Sequence, residues 1–252
     1  MFGCNTGKQS FTASTGKKAF TGNKGKIIIP APAGDGFVSA NPILLDAVSI
    51  FDAESLDLRE GDPVNEWQDD KGNMNLREDG FPPVYRENGA PNGKPAVEFN
   101  HNNLKDENGV TISDQYSIVI VFSTQEDATM SIFSAPNFYG IASYCYGGTS
   151  ALIFTPDGGG TEIGIDRPKP FAPFVYGISA ENEGARIYDN GNFATEMSLR
   201  KITPIDGFTL GLDKVLDWWF IGRVMQVIIW DKFISPAKQQ DVAEHMINKW
   251  GL

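Results

Sequence analysis

Apolar residues in this chain fall in short runs, separated by clusters of Gly, Pro, Asn and Asp. That pattern predicts strands and turns. Ser49-Ile50-Phe51-Asp52-Ala53 predicts a first strand. Glu66-Trp67-Gln68-Asp69 predicts another, ended by the turn residues Asp70-Lys71-Gly72-Asn73. Ala96-Val97-Glu98-Phe99 alternates apolar and polar positions. Tyr116 to Phe122 is a continuous β-branched run and predicts a central strand buried on both faces. Ser131-Ile132-Phe133, Leu152-Ile153-Phe154 and Phe174 to Ile178 continue the series. Arg186 to Phe193 predicts a hairpin, because Asn190-Gly191 supplies the positive φ angles of a type I′ turn. Gly207 to Gly211 and Trp219 to Gly222 precede the last strong strand, Val224 to Trp230.

Only the C-terminus has the helical period. Ser235 can cap, and Pro236 suits the first helical position. Val242, Met246 and Trp250 form an apolar stripe with Ala243 and Ile247, and Gly251 stops the helix. Short strands followed by one terminal helix predict an all-β, two-sheet sandwich. Val119, Val121, Phe99, Val227, Ile229 and Trp67 are expected to share its core.

With 252 residues, 27 of them Gly and 15 Pro, the chain has room for one turn-rich sandwich. Its net charge of −11 repels phosphate backbones, so nucleic acid is not an expected partner. No apolar stretch approaches the roughly 18 residues of a membrane-spanning helix, so no membrane contact is expected. The first 26 residues lack the apolar stretch of a secretory signal. Cys4 and Cys145 show no metal-ligand spacing, and nothing local brings them together.

The charge is unevenly placed. Residues 1–34 carry Lys8, Lys17, Lys18, Lys24 and Lys26 and no acid, which is +5 and leaves −16 for the rest. Thr6 to Thr12 repeats as Thr15 to Thr21 with five of seven positions identical. Ile27-Ile28-Ile29 and a Pro-Ala linker follow. Residues 1–42 therefore read as an extended basic arm and linker, and 43–252 as the folded domain. Phe11 and Phe20 recur in the repeat, which suggests two similar sockets on a neighbour. The expected anchoring residues are Phe11, Lys17, Lys18, Phe20, Ile27, Ile28 and Ile29.

Four stretches together resemble the laminin-G-like branch of the concanavalin A-like lectin/glucanase superfamily. They are Phe51 to Leu56, Gly61 to Asn73, Asn92 to Phe99, and Phe220 to Asp231 with the helix ending Asn248-Lys249-Trp250-Gly251-Leu252. The resemblance implies a two-sheet jelly roll over residues 43–252. It says little about function, because lectins, enzymes and structural modules share this fold. Two departures stand out. Gln226 occupies a position where the family pattern implies an acid, with Arg223 nearby. The loop Asp213 to Trp218 is specific to this chain.

Related domains hold calcium at loop carboxylates, and Asp69, Asp70 and Asn73, with Asn75, cluster hard oxygen ligands. The same residues also read as a turn tied by Asp and Asn side chains. No other cofactor is implied. Glucanases of the superfamily pair carboxylates across alternate strand positions. Glu162 and Asp166 lie four residues apart, roughly 13 Å on a strand, too far for that chemistry. His101 and His245 have no nucleophile signature beside them. The domain is therefore expected to be non-enzymatic. Tyr139, Tyr144 and Tyr146, in a loop-like stretch, and Trp218 beside Asp217 are the candidate glycan contacts.

The acidic domain joined to a basic repeated arm, the missing secretory signal and a resemblance to domains found in bacterial and phage proteins give one expectation, a non-enzymatic phage protein. The chain is a virion structural protein, a capsid decoration or tail appendage, anchored through residues 1–34. It would contact other virion proteins, form a homo-oligomer and assemble in the host cytoplasm. The alternative is a carbohydrate-binding adhesion module for host surface glycans.

Overall fold

The β-branched and aromatic runs pair into two antiparallel sheets, and the computed structural model shows how they stack. It describes residues 41–106, 111–125, 130–135, 138–146, 149–154, 172–181, 184–198, 205–213 and 217–252. For 135, 138–146, 149–154, 197, 206 and 213 only the backbone is described. The arm residues Phe11, Lys17, Lys18, Phe20, Ile27, Ile28 and Ile29 lie outside the described residues, as do Cys4, Glu162 and Asp166.

In chain order the strands are β1 Ser49–Asp52, β2 Glu66–Gln68, β3 Asn75–Glu78, β4 Val84–Arg86, β5 Ala96–Asn100, β6 Leu104–Asp106, β7 Thr111–Ile112 and β8 Tyr116–Thr124. Next come β9 Met130–Ala135, β10 Phe138–Tyr146, β11 Thr149–Phe154, β12 Phe174–Glu181, β13 Gly184–Asp189 and β14 Asn192–Ser198. The last are β15 Ile205–Asp206, β16 Thr209–Leu210, β17 Leu212–Asp213, β18 Trp218–Trp219 and β19 Ile221–Trp230, before helix α1, Pro236–Trp250. One sheet runs β14-β13-β12-β8-β19-β5-β4, with β1 also paired to β19. The other runs β11-β10-β9-β16-β6-β3-β2, and β15-β7 and β17-β18 form two small pairs.

Strand β8 sits between β12 and β19, and all nine of its residues are buried. The six expected core residues are all fully buried, but not in one layer. Register places Ile118, Ile120, Val227 and Ile229 on the face that meets the second sheet. Phe51 lies on that face, and its ring meets Trp67 edge-on at 5.8 Å; Phe99 and Phe122 meet Phe220 there. Val119 and Val121 point the other way, level with Ile228, Gln226 and Gly177. Helix α1 covers that face. Its buried Gln239 gives its amide to the Ile178 carbonyl at 3.1 Å and the Ser179 hydroxyl at 2.8 Å. A side chain at Gly177 would collide with Gln239 at 2.5 Å. The expected single core is therefore two apolar layers separated by one sheet.

The helix ends follow the sequence signals. Ser235 Oγ accepts the Lys238 N–H at 3.3 Å, Pro236 opens the first turn, and Gly251 adopts φ 69°. The turn at Asn190-Gly191 has φ 46° and 81°, as the hairpin requires.

Gln226, at the position where the resemblance implied an acid, ties the helix to the sheet. It is buried; its Nε2 donates to Asp52 Oδ2 at 3.1 Å, and its Oε1 accepts the Trp250 indole N–H at 3.0 Å. Lys249 Nζ also donates to Asp52 Oδ2. The amide donates to the carboxylate and accepts from the indole at once, which an ionised carboxylate cannot do. A glutamate here would place a second carboxylate against buried Asp52.

Two stability outcomes follow from this packing. Trp67→Ala should cost about 3–5 kcal/mol. Trp67→Phe should cost far less, because the Trp67 indole N–H has no partner among the described residues. Denaturant melts measure both, and a loss below about 1 kcal/mol for the alanine variant would contradict the buried placement. Gln226→Glu should cost about 2–3 kcal/mol at neutral pH, with the deficit shrinking as the new carboxyl is protonated in acid. An unchanged melt at pH 7 would refute the clasp.

Candidate functional site

One end of the sandwich gathers aromatic rings that the core does not use. The β3–β4 connection, the β5–β6 turn and the β17–β18 hairpin meet there. Asn102, buried in the β5–β6 turn, donates its amide to the Pro82 carbonyl at 3.2 Å and accepts the Asn100 N–H at 3.0 Å. Gly211 lies against the same turn with φ 93°; a Cβ there would sit 2.6 Å from both the Asn102 carbonyl and the Phe99 ring. Only glycine permits that approach. Beyond it Leu212 pairs with Trp219 and Asp213 with Trp218.

These contacts hold Trp218 and Trp219 half-buried, while His101 is exposed and Phe81 is 78% exposed. Asp217 Oδ1 accepts the Trp219 indole N–H at 2.9 Å and so fixes that ring. Asp217 and His101 both take left-handed backbone angles, φ 54° and 57°. Asp and His tolerate that region better than most residues, and here it folds two tight turns beside the rings.

A cleft of about 280 Å³ opens on the helix-side face of the β8–β19 sheet, near the same end. Asn88, Gly89, Ala90 and Pro91, Ser123, Gln125, Pro173 and Arg223 line it. Register brings its parts together: Arg223 pairs with Glu98 on one side and Ser123 on the other. Glu98 organises the floor. Its Oε2 accepts Arg223 Nε at 2.8 Å and Gln125 Nε2 at 3.0 Å. Its Oε1 accepts Arg86 Nε at 3.1 Å and Nη2 at 2.7 Å. Burial pushes the Glu98 carboxyl up, but the hydrogen bonds from Arg86, Arg223 and Gln125 outweigh it and hold it below the usual range. Arg223 Nη1 also reaches the Gly89 carbonyl at 3.3 Å.

The cleft and the aromatic end share the start of β19. Ile221 pairs with Asn100, and the Gln125 N–H bonds the Ile221 carbonyl at 3.0 Å. Trp219 and Arg223 are four residues apart, roughly 13 Å of extended chain.

Of the residues expected to touch glycan, Trp218 lies in this end. Tyr139, Tyr144 and Tyr146 lie on β10, a strand of the other sheet, where only the backbone is described. Their stretch had read as a loop. It is a nine-residue strand, paired on both sides with β9 and β11, and Tyr144-Cys145-Tyr146 alternates as a pleated strand does. Asp69, Asp70 and Asn73 surround the β2–β3 turn. Asp69 is buried, and both its carboxylate oxygens accept backbone N–H groups, from Lys71 at 2.6 Å and from Met74. Asn73 gives its amide to the Val48 carbonyl at 2.6 Å. Among the described residues no three His, Cys, Asp or Glu side chains converge as a metal site would require. Sequence offers no signal for Phe81, Trp219, Ser123 and Gln125, and His101 is weighed there only as a catalytic candidate. Trp219 adjoins the chain-specific loop, and Arg223 had been noted only as a neighbour of Gln226.

Asp70 is exposed as a residue, yet its carboxyl faces Asp52. Loss of water, then the Asp52 charge, pushes it up to about 6, against a hydrogen bond from Ser55 and the Lys249 charge. The ordinary aspartate value is 3.8. Between these values the folded chain holds more protons at this group than the unfolded chain. Asp70 therefore lowers stability as pH rises from about 4 to about 6. Asp70→Asn should remove that decline and gain on the wild type between about pH 4.5 and 7.5. Denaturant melts at the two values test it, and a parallel change in both proteins would count against it.

No protein-family model and no curated protein sequence matches the chain. Solved structures do. The Trypanosoma rangeli sialidase matches with a TM-score of 0.56 at 10% identity, over 80% of this chain and 33% of that chain. Domain 4 of an extracellular arabinanase from Geobacillus stearothermophilus, solved with arabinotriose, matches at 0.51 and 17% identity, over 73% of this chain and 100% of that one. The botulinum neurotoxin serotype D binding domain matches at 0.57 and 12% identity, over 81% and 53%. The chain thus spans about a third of the sialidase. At these identities the likeness is one of fold, a β-sandwich.

Proposed function

We propose that residues 43–252 form a carbohydrate-binding module that recognises glycans at the end carrying Trp218, Trp219 and Phe81, and carries out no reaction on them. The observation behind this reading is the set of exposed and half-buried rings held at one end by Asn102, Gly211 and Asp217. An aromatic face carries partial negative charge and suits the C–H face of a sugar ring. Support comes from the arabinanase domain, which shares the fold over its whole length and was solved with a trisaccharide. The nearby acid, Glu98, is engaged by two arginines and a glutamine, so it is placed to position side chains rather than to exchange protons.

In the virion setting, this module would be the outward part of a particle and residues 1–42 its attachment. That portion of the proposal rests on the leader's repeat and its +5 charge. The two roles are compatible.

A glycan array probed with the full chain should show saturable binding. Phe81→Ala and Trp218→Ala should each weaken it roughly tenfold. Phe81→Ala should leave the thermal melt unchanged, since that side chain is exposed. Absence of binding across the array, or full binding by both variants, would overturn the reading.

A further inference from the structure

The cleft beside Arg223 holds more hydrogen-bonding capacity than the fold uses. Arg223 has five N–H donors. Nε serves Glu98 and Nη1 serves Gly89, while the two Nη2 hydrogens and the second Nη1 hydrogen have no acceptor among the described residues. Gln125 commits its amide nitrogen to Glu98, and its Oε1 accepts no hydrogen bond there. Ser123 is buried, and its hydroxyl has no partner among the described residues. Among the described residues Arg223 is the only charged side chain in the lining, and Pro91 and Pro173 are apolar parts of it.

Each of these groups restricts the ligand. A planar guanidinium edge with free donors matches a carboxylate, which can take two parallel N–H bonds. Glu98 lies directly behind the guanidinium, and residues outside the leader carry −16, so a singly charged anion is favoured over a doubly charged one. A carboxylate alone leaves the Gln125 carbonyl oxygen unsatisfied. That atom needs a donor, which a hydroxyl on the same ligand supplies. The volume is just below the roughly 300 Å³ at which pockets for larger ligands begin, enough for one ring rather than a chain.

We infer that this cleft is a subsite for an acidic sugar unit, whose carboxylate docks on Arg223 and whose hydroxyls bond Gln125 and Ser123. The inference rests on the glycan reading above and deepens it. The aromatic end would stack neutral units, and the cleft, roughly 13 Å of extended chain away, would read the charged one.

The test titrates isotope-labelled full-length chain with sodium glucuronate, glucose and sodium acetate, following the Arg223 Nε–H and the Gln125 side-chain amide by NMR. Glucuronate should give saturable shifts, at least roughly tenfold tighter than glucose and tighter than acetate. Ser123→Ala should weaken glucuronate alone. Arg223→Lys keeps the charge that balances Glu98 but loses the fork, and should also lose the preference over glucose. No saturable glucuronate shift, or a preference that survives in Arg223→Lys, would overturn the subsite. Equal acetate and glucuronate binding would overturn its assignment to a sugar. Polyglutamate competing as well as glucuronate would reassign it to acidic peptide. The array result is independent: neutral glycans bound there without any cleft response would reject this subsite and leave the glycan reading standing.

Discussion

The structure depends on burial of both faces of one strand pair, β8 and β19. A sheet with one apolar face needs one covering layer; this pair needs two. The second sheet covers Ile118, Ile120, Val227 and Ile229 on one side, and helix α1 covers Val119, Ile228 and Trp230 on the other. The terminal helix is therefore a structural layer of the domain. Removing it would expose the outer valines and Trp230 to water, at roughly 1.5–3 kcal/mol for each large apolar side chain.

Burial on the helix side brings polar atoms with it, and those between helix and sheet are matched at two glutamines and a serine. Gln239 satisfies a strand carbonyl and a serine, and Gln226 joins Asp52 to the Trp250 indole. Ser117 donates to the Lys232 carbonyl at 3.0 Å and accepts the Ile234 N–H, which sets the turn from β19 into the helix. Such bonds add little net stability in themselves, but leaving any one unmade in a dry layer is costly. They fix where the helix lies, and a helix free to slide would not leave the cleft edge beside Asn88 to Pro91 in place. Asn92 is part of that link, since its amide donates to the Lys249 carbonyl at 2.8 Å near the end of α1.

The same strand pair positions the aromatic end. β19 enters the sheet at Ile221 straight after the β17–β18 hairpin, so the rings stand at the mouth of a strand buried along nearly its whole length. Glu98 then spaces two guanidiniums across adjacent strands. Trp219, Arg223 and Gln125 are each held by protein hydrogen bonds, which would reduce the ordering cost of binding a ligand there.

Much of the architecture was legible in the chain. Period-two runs, the Asn190-Gly191 turn and the Ser235-Pro236 helix start are local signals, and local sterics decide them. Short strands such as β3, β4 and β6 were not legible, because three or four residues carry little period and form only against a neighbour. The apolar character of Val119 and Trp67 announced burial, but which layer each joined depended on register, and register is set by partners distant in sequence. The site divides the same way. Trp218 could be picked out because an aromatic beside an acid is visible in one dimension. Arg223, Ser123 and Gln125 could not, because nothing in their local sequence marks them. They become a cleft only when β8, β19 and the Asn88–Pro91 turn are brought side by side, which long-range strand pairing alone accomplishes.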